Sequence, residues 1–282
     1  MRQLLHISDV HFGPHFRPEV AAGVMELAER RRPDLVVLSG DLTQRAKPEQ
    51  FRDARAWVEK LPVPWIAVPG NHDVPAYRFW ERLTDPYGAY RRHFAEEMEP
   101  VFEDDSLFVV GVNTAFNWTV KDGRFTSAGL ERMARLFEDA PRDKTRLVVA
   151  HHELTPPPRY HTQRVALRAV EAIRLMVHYD VEMVFSGHQH QTYIATSEEY
   201  QSVGGPPVLF LHSGTTTSGR GRCWEKGRNS CNWVEIRDER LSIHHLMWSA
   251  EENAFLEWSR RHYPRRSARP YSLDGALQDA IR

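Results

Sequence analysis

The 282-residue sequence predicts an α/β fold. Short apolar runs alternate with longer amphipathic stretches, the pattern of strands separated by helices. The runs are near-continuous rather than alternating, so the strands must be covered on both faces. A chain of this length can bury one large core or two small ones.

The apolar runs are "QLLHIS" (3–8), "DLVVLS" (34–39), "WIAVP" (65–69), "LFVVGV" (107–112), "RLVVA" (146–150) and "VEMVFS" (181–186). Helices are expected over 18–32, 48–61, 127–139 and 163–178. Pro18 and Pro48 suit first-turn positions, where a missing N–H costs nothing. After "VLFLHSG" (208–214) the pattern changes. "NWVEI" and "LSIHHLMW" flank the turn "RDER" and read as an antiparallel hairpin. One domain is expected over 1–250. Residues 251–282, whose last part is basic and Pro-interrupted and then compatible with a short helix, are expected to be a surface extension.

Composition narrows the function. Hydrophobic residues make up 41% and charged residues 27%, with a net charge of −1, so nothing draws the whole chain to nucleic acid or an anionic membrane. No apolar run approaches the roughly 20 residues of a membrane helix. The start, "MRQLLHISDVHFG", carries an Asp and lacks a small-residue cleavage pattern, so it reads as a first strand rather than a signal peptide. The only cysteines, Cys223 and Cys231, make neither a disulfide framework nor a thiolate zinc site, and a cytoplasmic location is expected. Histidine is abundant, with 15 residues.

Polar ligand types gather where the apolar runs end. "HISDVH" ends in Asp9 and His11, "VVLSGD" in Asp41, "AVPGNHD" in Asn71, His72 and Asp73. "LVVAHH" ends in His151 and His152, and "VFSGHQH" in His188 and His190. The carboxyl edge of an α/β sheet is where ligands bind. Gly40, Gly70 and Gly187 precede these residues and permit a sharp bend and close backbone approach. Carboxylate and amide oxygens mixed with imidazoles, without thiolate, suit Mn, Fe or Zn better than a calcium cage. The donors are too many for one ion but suit two divalent transition-metal ions sharing a carboxylate, a device for displacement at phosphorus.

The series Asp-x-His, Gly-Asp, Gly-Asn-His-Asp, His, Gly-His-x-His, in order over residues 9 to 190, resembles the calcineurin-like metallophosphoesterase superfamily. The resemblance implies a four-layer αββα sandwich of two mixed sheets flanked by helices, with the site at one edge. It implies that Asp9, His11, Asp41 and His190 hold one metal, and that Asp41 bridges to a second held by Asn71, His151 and His188. His151 is chosen over His152 as nearer the strand end, and the choice between them stays open. The mechanism implied is attack of a metal-activated hydroxide on phosphorus, with His72 assisting departure of the leaving group. Asp73 is assigned to orient His72.

The pattern is most similar to bacterial class III cyclic-nucleotide phosphodiesterases and glycerophosphodiesterase relatives. "LTQRAK" after Asp41 lacks the Asp-Arg-Gly of protein Ser/Thr phosphatases, and His72 stands where lipid-A-pathway hydrolases carry Arg. A small-molecule phosphodiester is therefore the expected substrate. A nuclease or a phosphomonoesterase on the same core is the alternative, and a non-catalytic scaffold is disfavoured by the full ligand set. None of the five blocks contains Arg or Lys, which favours a diester over a monoester dianion. Arg220 and Arg222 in "SGTTTSGRGR" read as a solvated loop rather than as phosphate contacts.

Overall fold

The computed structural model describes residues 1–157, 164–199 and 203–265. Each apolar run becomes a strand: β1 (Arg2–Ile7), β2 (Leu35–Leu38), β3 (Trp65–Ala67), β5 (Leu107–Val112), β6 (Thr145–Ala150), β7 (Val181–Ser186) and β9 (Leu209–His212). β4 (Val101–Glu103) and β8 (Tyr193–Thr196) join them. β10 (Ser230–Ile236), β11 (Arg240–Ser249) and β12 (Ala254–Pro264) follow. They form two six-stranded mixed sheets, ordered β12-β11-β10-β1-β2-β3 and β4-β5-β6-β7-β9-β8.

The helices are α1 (Pro18–Arg31), α2 (Pro48–Val58), α3 (Phe79–Thr84), α4 (Gly88–His93), α5 (Ser127–Asp139) and α6 (Ala169–His178). Both prolines begin their helices as expected. α2 ends before residue 61 because Pro62 follows, and a proline disfavours helix in the residue before it. α6 starts at Ala169 rather than 163. Within 164–168, Leu167 instead bridges to Arg124 and exchanges backbone hydrogen bonds with Gly123 and Phe125.

Strand periodicity builds the layers. Along β2, Leu35 and Val37 face one core while Val36 and Leu38 face another. β6 repeats this, with Leu147 and Val149 on one side and Val148 and Ala150 on the other. Three cores result. One lies between the sheets, one under α1, α2 and α4, and one under α5 and α6. Three cores separate four layers, so the architecture is the αββα sandwich, with every run covered on both faces. Among the described residues no helix is long and apolar enough to cross a membrane.

The expected boundary at residue 250 needs correcting. It falls in the turn between β11 and β12, which pair antiparallel from Ser249↔Ala254 to Arg240↔Pro264. Residues 254–264 are thus the edge strand of the first sheet, not an extension. Charged residues on its exposed positions, such as Glu257, Arg260 and Arg261, hide the strand pattern while protecting the edge. The stretch compatible with a short tail helix lies outside the described residues.

Candidate metal centre

The strands that carry the ligand types run parallel within each sheet: β1, β2 and β3 in one, β6 and β7 in the other. Their carboxyl ends therefore meet along one edge of the sandwich. At that edge the backbone turns left-handed. Asp9 (φ 51°), His11 (φ 50°), Asp41 (φ 52°), His188 (φ 69°) and His190 (φ 54°) all occupy this region. Such a conformation costs a non-glycine residue about 1–3 kcal/mol and is found where function over-determines it. Gly40 shares it (φ 93°), and a Cβ there would lie 2.5 Å from the His151 ring. At Gly70 a Cβ would lie 2.2 Å from Asp41 Oδ1, so close packing, not torsion, requires that glycine.

The donors converge in two groups. One atom each from Asp9, His11, Asp41 and His190 lies within 4.8 Å of the others, and the same holds for His151, His152 and His188. Asp41 stands between them, with Oδ2 3.6 Å from His11 Nε2 and Oδ1 3.4 Å from His151 Nε2. Asn71 Oδ1 belongs to the second group, 2.9 Å from His188 Nδ1 and 3.3 Å from His151 Nε2. Its amide nitrogen donates to Val120 O (3.2 Å), which turns the oxygen inward.

Backbone carbonyls fix the imidazoles. Nδ1 of His151 donates to Ser39 O (2.7 Å), that of His190 to Arg220 O (2.8 Å) and that of His11 to Thr43 O (3.3 Å). A carbonyl can only accept, so each ring carries a proton on Nδ1 and aims Nε2 inward. Outer hydrogen bonds of this kind orient metal-binding histidines. His152 packs beside His188, with ring centroids 4.6 Å apart and Nδ1 2.9 Å from Thr114 Oγ1.

The electrostatics call for a cation. Asp9 Oδ1 and Asp41 Oδ2 are buried without a hydrogen-bond donor. His11 Nε2 and His190 Nε2 face each other at 3.2 Å, and His190 Nε2 lies 3.1 Å from Asp9 Oδ1. Acceptors facing acceptors in a dry interior are costly unless positive charge lies between them. Burial pushes both carboxyls up, but His190 beside Asp9 and His151 beside Asp41 hold them well below the usual carboxylate range. Burial works against a charged His151, yet the Asp41 carboxylate raises it to about 10. Burial lowers His188 to about 3 and His11 to about 4. A divalent transition metal fits this donor set.

His72 lies at the edge of this cluster, half-buried. Its N–H donates to Asp41 Oδ1 (2.8 Å), and its Nδ1 donates to Gln44 O (2.8 Å), leaving Nε2 facing the cleft. The role expected for Asp73 is corrected. Its carboxylate accepts from Leu42 N (3.0 Å), Thr43 N (2.8 Å), Thr43 Oγ1 (2.9 Å) and Gly70 N (2.9 Å), and holds two strand-end loops together. Gln44, unmarked in the sequence, orients His72 instead. Burial and the neighbouring Asp41 push Asp73 up to about 7, against the donors that favour its ionised form.

A second correction concerns Arg220. It is half-buried, with Nη1 3.1 Å from His72 Nε2, 3.4 Å from His11 Nε2 and 3.4 Å from Gln44 Oε1. A cation therefore does reach the centre, from the last third of the chain, although none of the five blocks contains one, and Arg220 is not the solvated loop residue expected. Arg45, the nearest cation in sequence to a ligand, lies over the Tyr77 ring at 5.0 Å. Arg222 is exposed, as expected. No short-range signal marks Arg220, whose contacts with His72 span 148 positions.

Comparison with known proteins agrees with this geometry. The family model described as calcineurin-like phosphoesterase matches residues 2–192. A "probable cyclic nucleotide phosphodiesterase" of Synechococcus sp. is 33% identical over 62% of this chain and 64% of its own length. The chain thus matches less than two thirds of that relative. The glycerophosphodiester phosphodiesterase GpdQ of Enterobacter lignolyticus is 28% identical over 66% of this chain and 70% of its own. Among solved structures, the purple acid phosphatase PPD1 of yellow lupin superposes with a TM-score of 0.66 at 12% identity, covering 94% of this chain and 54% of that one. At such identity the likeness is one of fold.

Proposed function

This chain belongs to the calcineurin-like phosphoesterase family, and from that premise we propose that it is a metal-dependent phosphoric diester hydrolase. Its substrate is a small-molecule phosphodiester of the cyclic-nucleotide or glycerophosphodiester type, the compounds for which its relatives are named. Asp9, His11, Asp41 and His190 would hold one divalent ion, and Asp41, Asn71, His151 and His188 a second, with His152 beside His188. The oxygen and imidazole donors suit Mn, Fe or Zn. Such a pair, when bound, polarises phosphoryl oxygens and lowers the pKa of water.

The chain's own residues supply the rest. Asp41 spans the two groups, and the carbonyls of Ser39, Thr43 and Arg220 keep three imidazoles in register. His72 is the group that can place a proton on the departing alkoxide when its ring is doubly protonated and Arg220 has turned from it to the phosphoryl group: Gln44 O holds Nδ1, and Nε2 faces the cleft. Asp73 keeps the His72 loop against the Asp41 loop. A cytoplasmic location goes with a small-molecule substrate and a chain that has two cysteines.

The observation that carries this reading is the pair of buried carboxylate oxygens, Asp9 Oδ1 and Asp41 Oδ2, that lack any donor. Hydrolysis of bis-p-nitrophenyl phosphate and cyclic AMP, measured with Mn, Fe or Zn and again after chelation, tests it. We expect turnover of a diester that chelation abolishes and metal restores. Activity that survives complete metal removal contradicts it.

A further inference from the structure

We propose that Arg220 binds the phosphoryl group and sets how strongly the site responds to its charge. The proposal rests on the phosphoesterase reading above. The loop "SGTTTSGR" (213–220) is a built arm rather than a solvated loop. Residues 213–218 are all buried. Thr215 Oγ1 donates to Asp9 O (2.8 Å), Thr217 Oγ1 to Val10 O (2.9 Å) and Thr216 N to Ser8 O (2.9 Å). Asn229 Nδ2 donates to Ser218 O (2.8 Å), and Gly219 N to His15 O (3.0 Å). The hydroxyl-rich run thereby sits against the Asp9 loop and ends at Arg220, whose carbonyl accepts a hydrogen bond from His190 Nδ1.

The guanidinium at the end of this arm lacks a matched anion. Among the described residues no carboxylate lies within 4 Å of it, and its near neighbours are both ring nitrogens of His11, His72 Nε2 and an amide oxygen. Ordering a long cationic side chain in a half-buried cleft costs rotamer entropy and hydration. Neutral acceptors offset little of that, whereas a phosphoryl oxygen matches the guanidinium fork with charge-assisted hydrogen bonds. The guanidinium also lies 3.4 Å from His11 Nε2, a nitrogen already assigned to a cation. An anion between these positive charges relieves their repulsion. A monoester dianion carries more charge than a diester anion, so it should depend on Arg220 more.

The test compares wild type, Arg220→Ala and Arg220→Lys after metal reconstitution. It reads the dissociation constant for inorganic phosphate by calorimetry, kcat/KM for bis-p-nitrophenyl phosphate and p-nitrophenyl phosphate, and metal content. In Arg220→Ala, phosphate binding and diester kcat/KM should each fall about 10–100-fold, with monoester kcat/KM falling at least about tenfold further. Arg220→Lys should recover part of both losses, with metal content unchanged throughout. An unchanged ratio of monoester to diester activity, or phosphate binding within about twofold of wild type, overturns the proposal whatever the overall rate. If wild type hydrolyses neither ester, the phosphoesterase reading fails, while phosphate binding still decides the role of Arg220.

Discussion

The two halves of the centre are built differently. Asp9, His11, Asp41 and His190 are all buried, and two of the four are carboxylates. On the other side Asn71 and His188 are partly exposed, and the candidate donors are an amide and imidazoles apart from the Asp41 oxygen they share. Asp9 with its share of Asp41 offsets most of a divalent ion's charge in a dry site, whereas amide and imidazole donors leave most of it in place. The difference teaches how one site can combine permanence with reactivity. The deep half should hold its ion tightly. The open half should hold one more weakly and keep more of its positive charge for an incoming anion.

Asp41 is where the comparison breaks altogether, because its two oxygens face the two halves. Asp41→Ala removes a donor from each and leaves two like charges unscreened. We expect metal content to fall on both sides and kcat/KM for a diester to drop by at least about 10³-fold, equivalent to roughly 4 kcal/mol of barrier. Elemental analysis alongside the rate assay checks this. Loss of only one ion would assign Asp41 to a single half.

His72 sharpens the comparison from outside, since it lies at the edge of the cluster, its ring against that of His11 with centroids 4.9 Å apart, and belongs to neither donor group. His72→Ala should lower kcat about 10²–10⁴-fold for an alkoxide leaving group while both ions stay bound. The loss should be smaller for p-nitrophenolate, which departs with little help. Equal losses on the two substrates would make His72 a phosphate-positioning residue instead.

Much of this was legible in the sequence, and what was not has a physical reason. The strands were legible because burial on both faces leaves no polar alternation, as in "LVVL" and "LFVVGV". The ligand types were legible because five strands each end in them. β12 was not, because an edge strand turns charged side chains to water. Asp73 and His72 are adjacent in the chain, yet a three-residue 3₁₀ turn, Asn71–Asp73, sends Asp73 inward to three backbone amides and a hydroxyl. The carbonyls of Ser39, Thr43 and Arg220 carry no side-chain signal at all. Their role depends on contacts 112, 32 and 30 positions apart.

The central claim, two ion sites of unequal strength sharing Asp41, is tested most directly by titrating metal into stripped wild type, Asp9→Ala and His188→Ala and measuring bound metal at each step. Wild type should take up two ions in separable phases. His188→Ala should keep the tight phase and lose the weak one, and Asp9→Ala should lose the tight phase, with affinities changing by at least about 10–100-fold. Saturation of wild type at one ion with full activity, or loss of both phases in His188→Ala, would contradict the account.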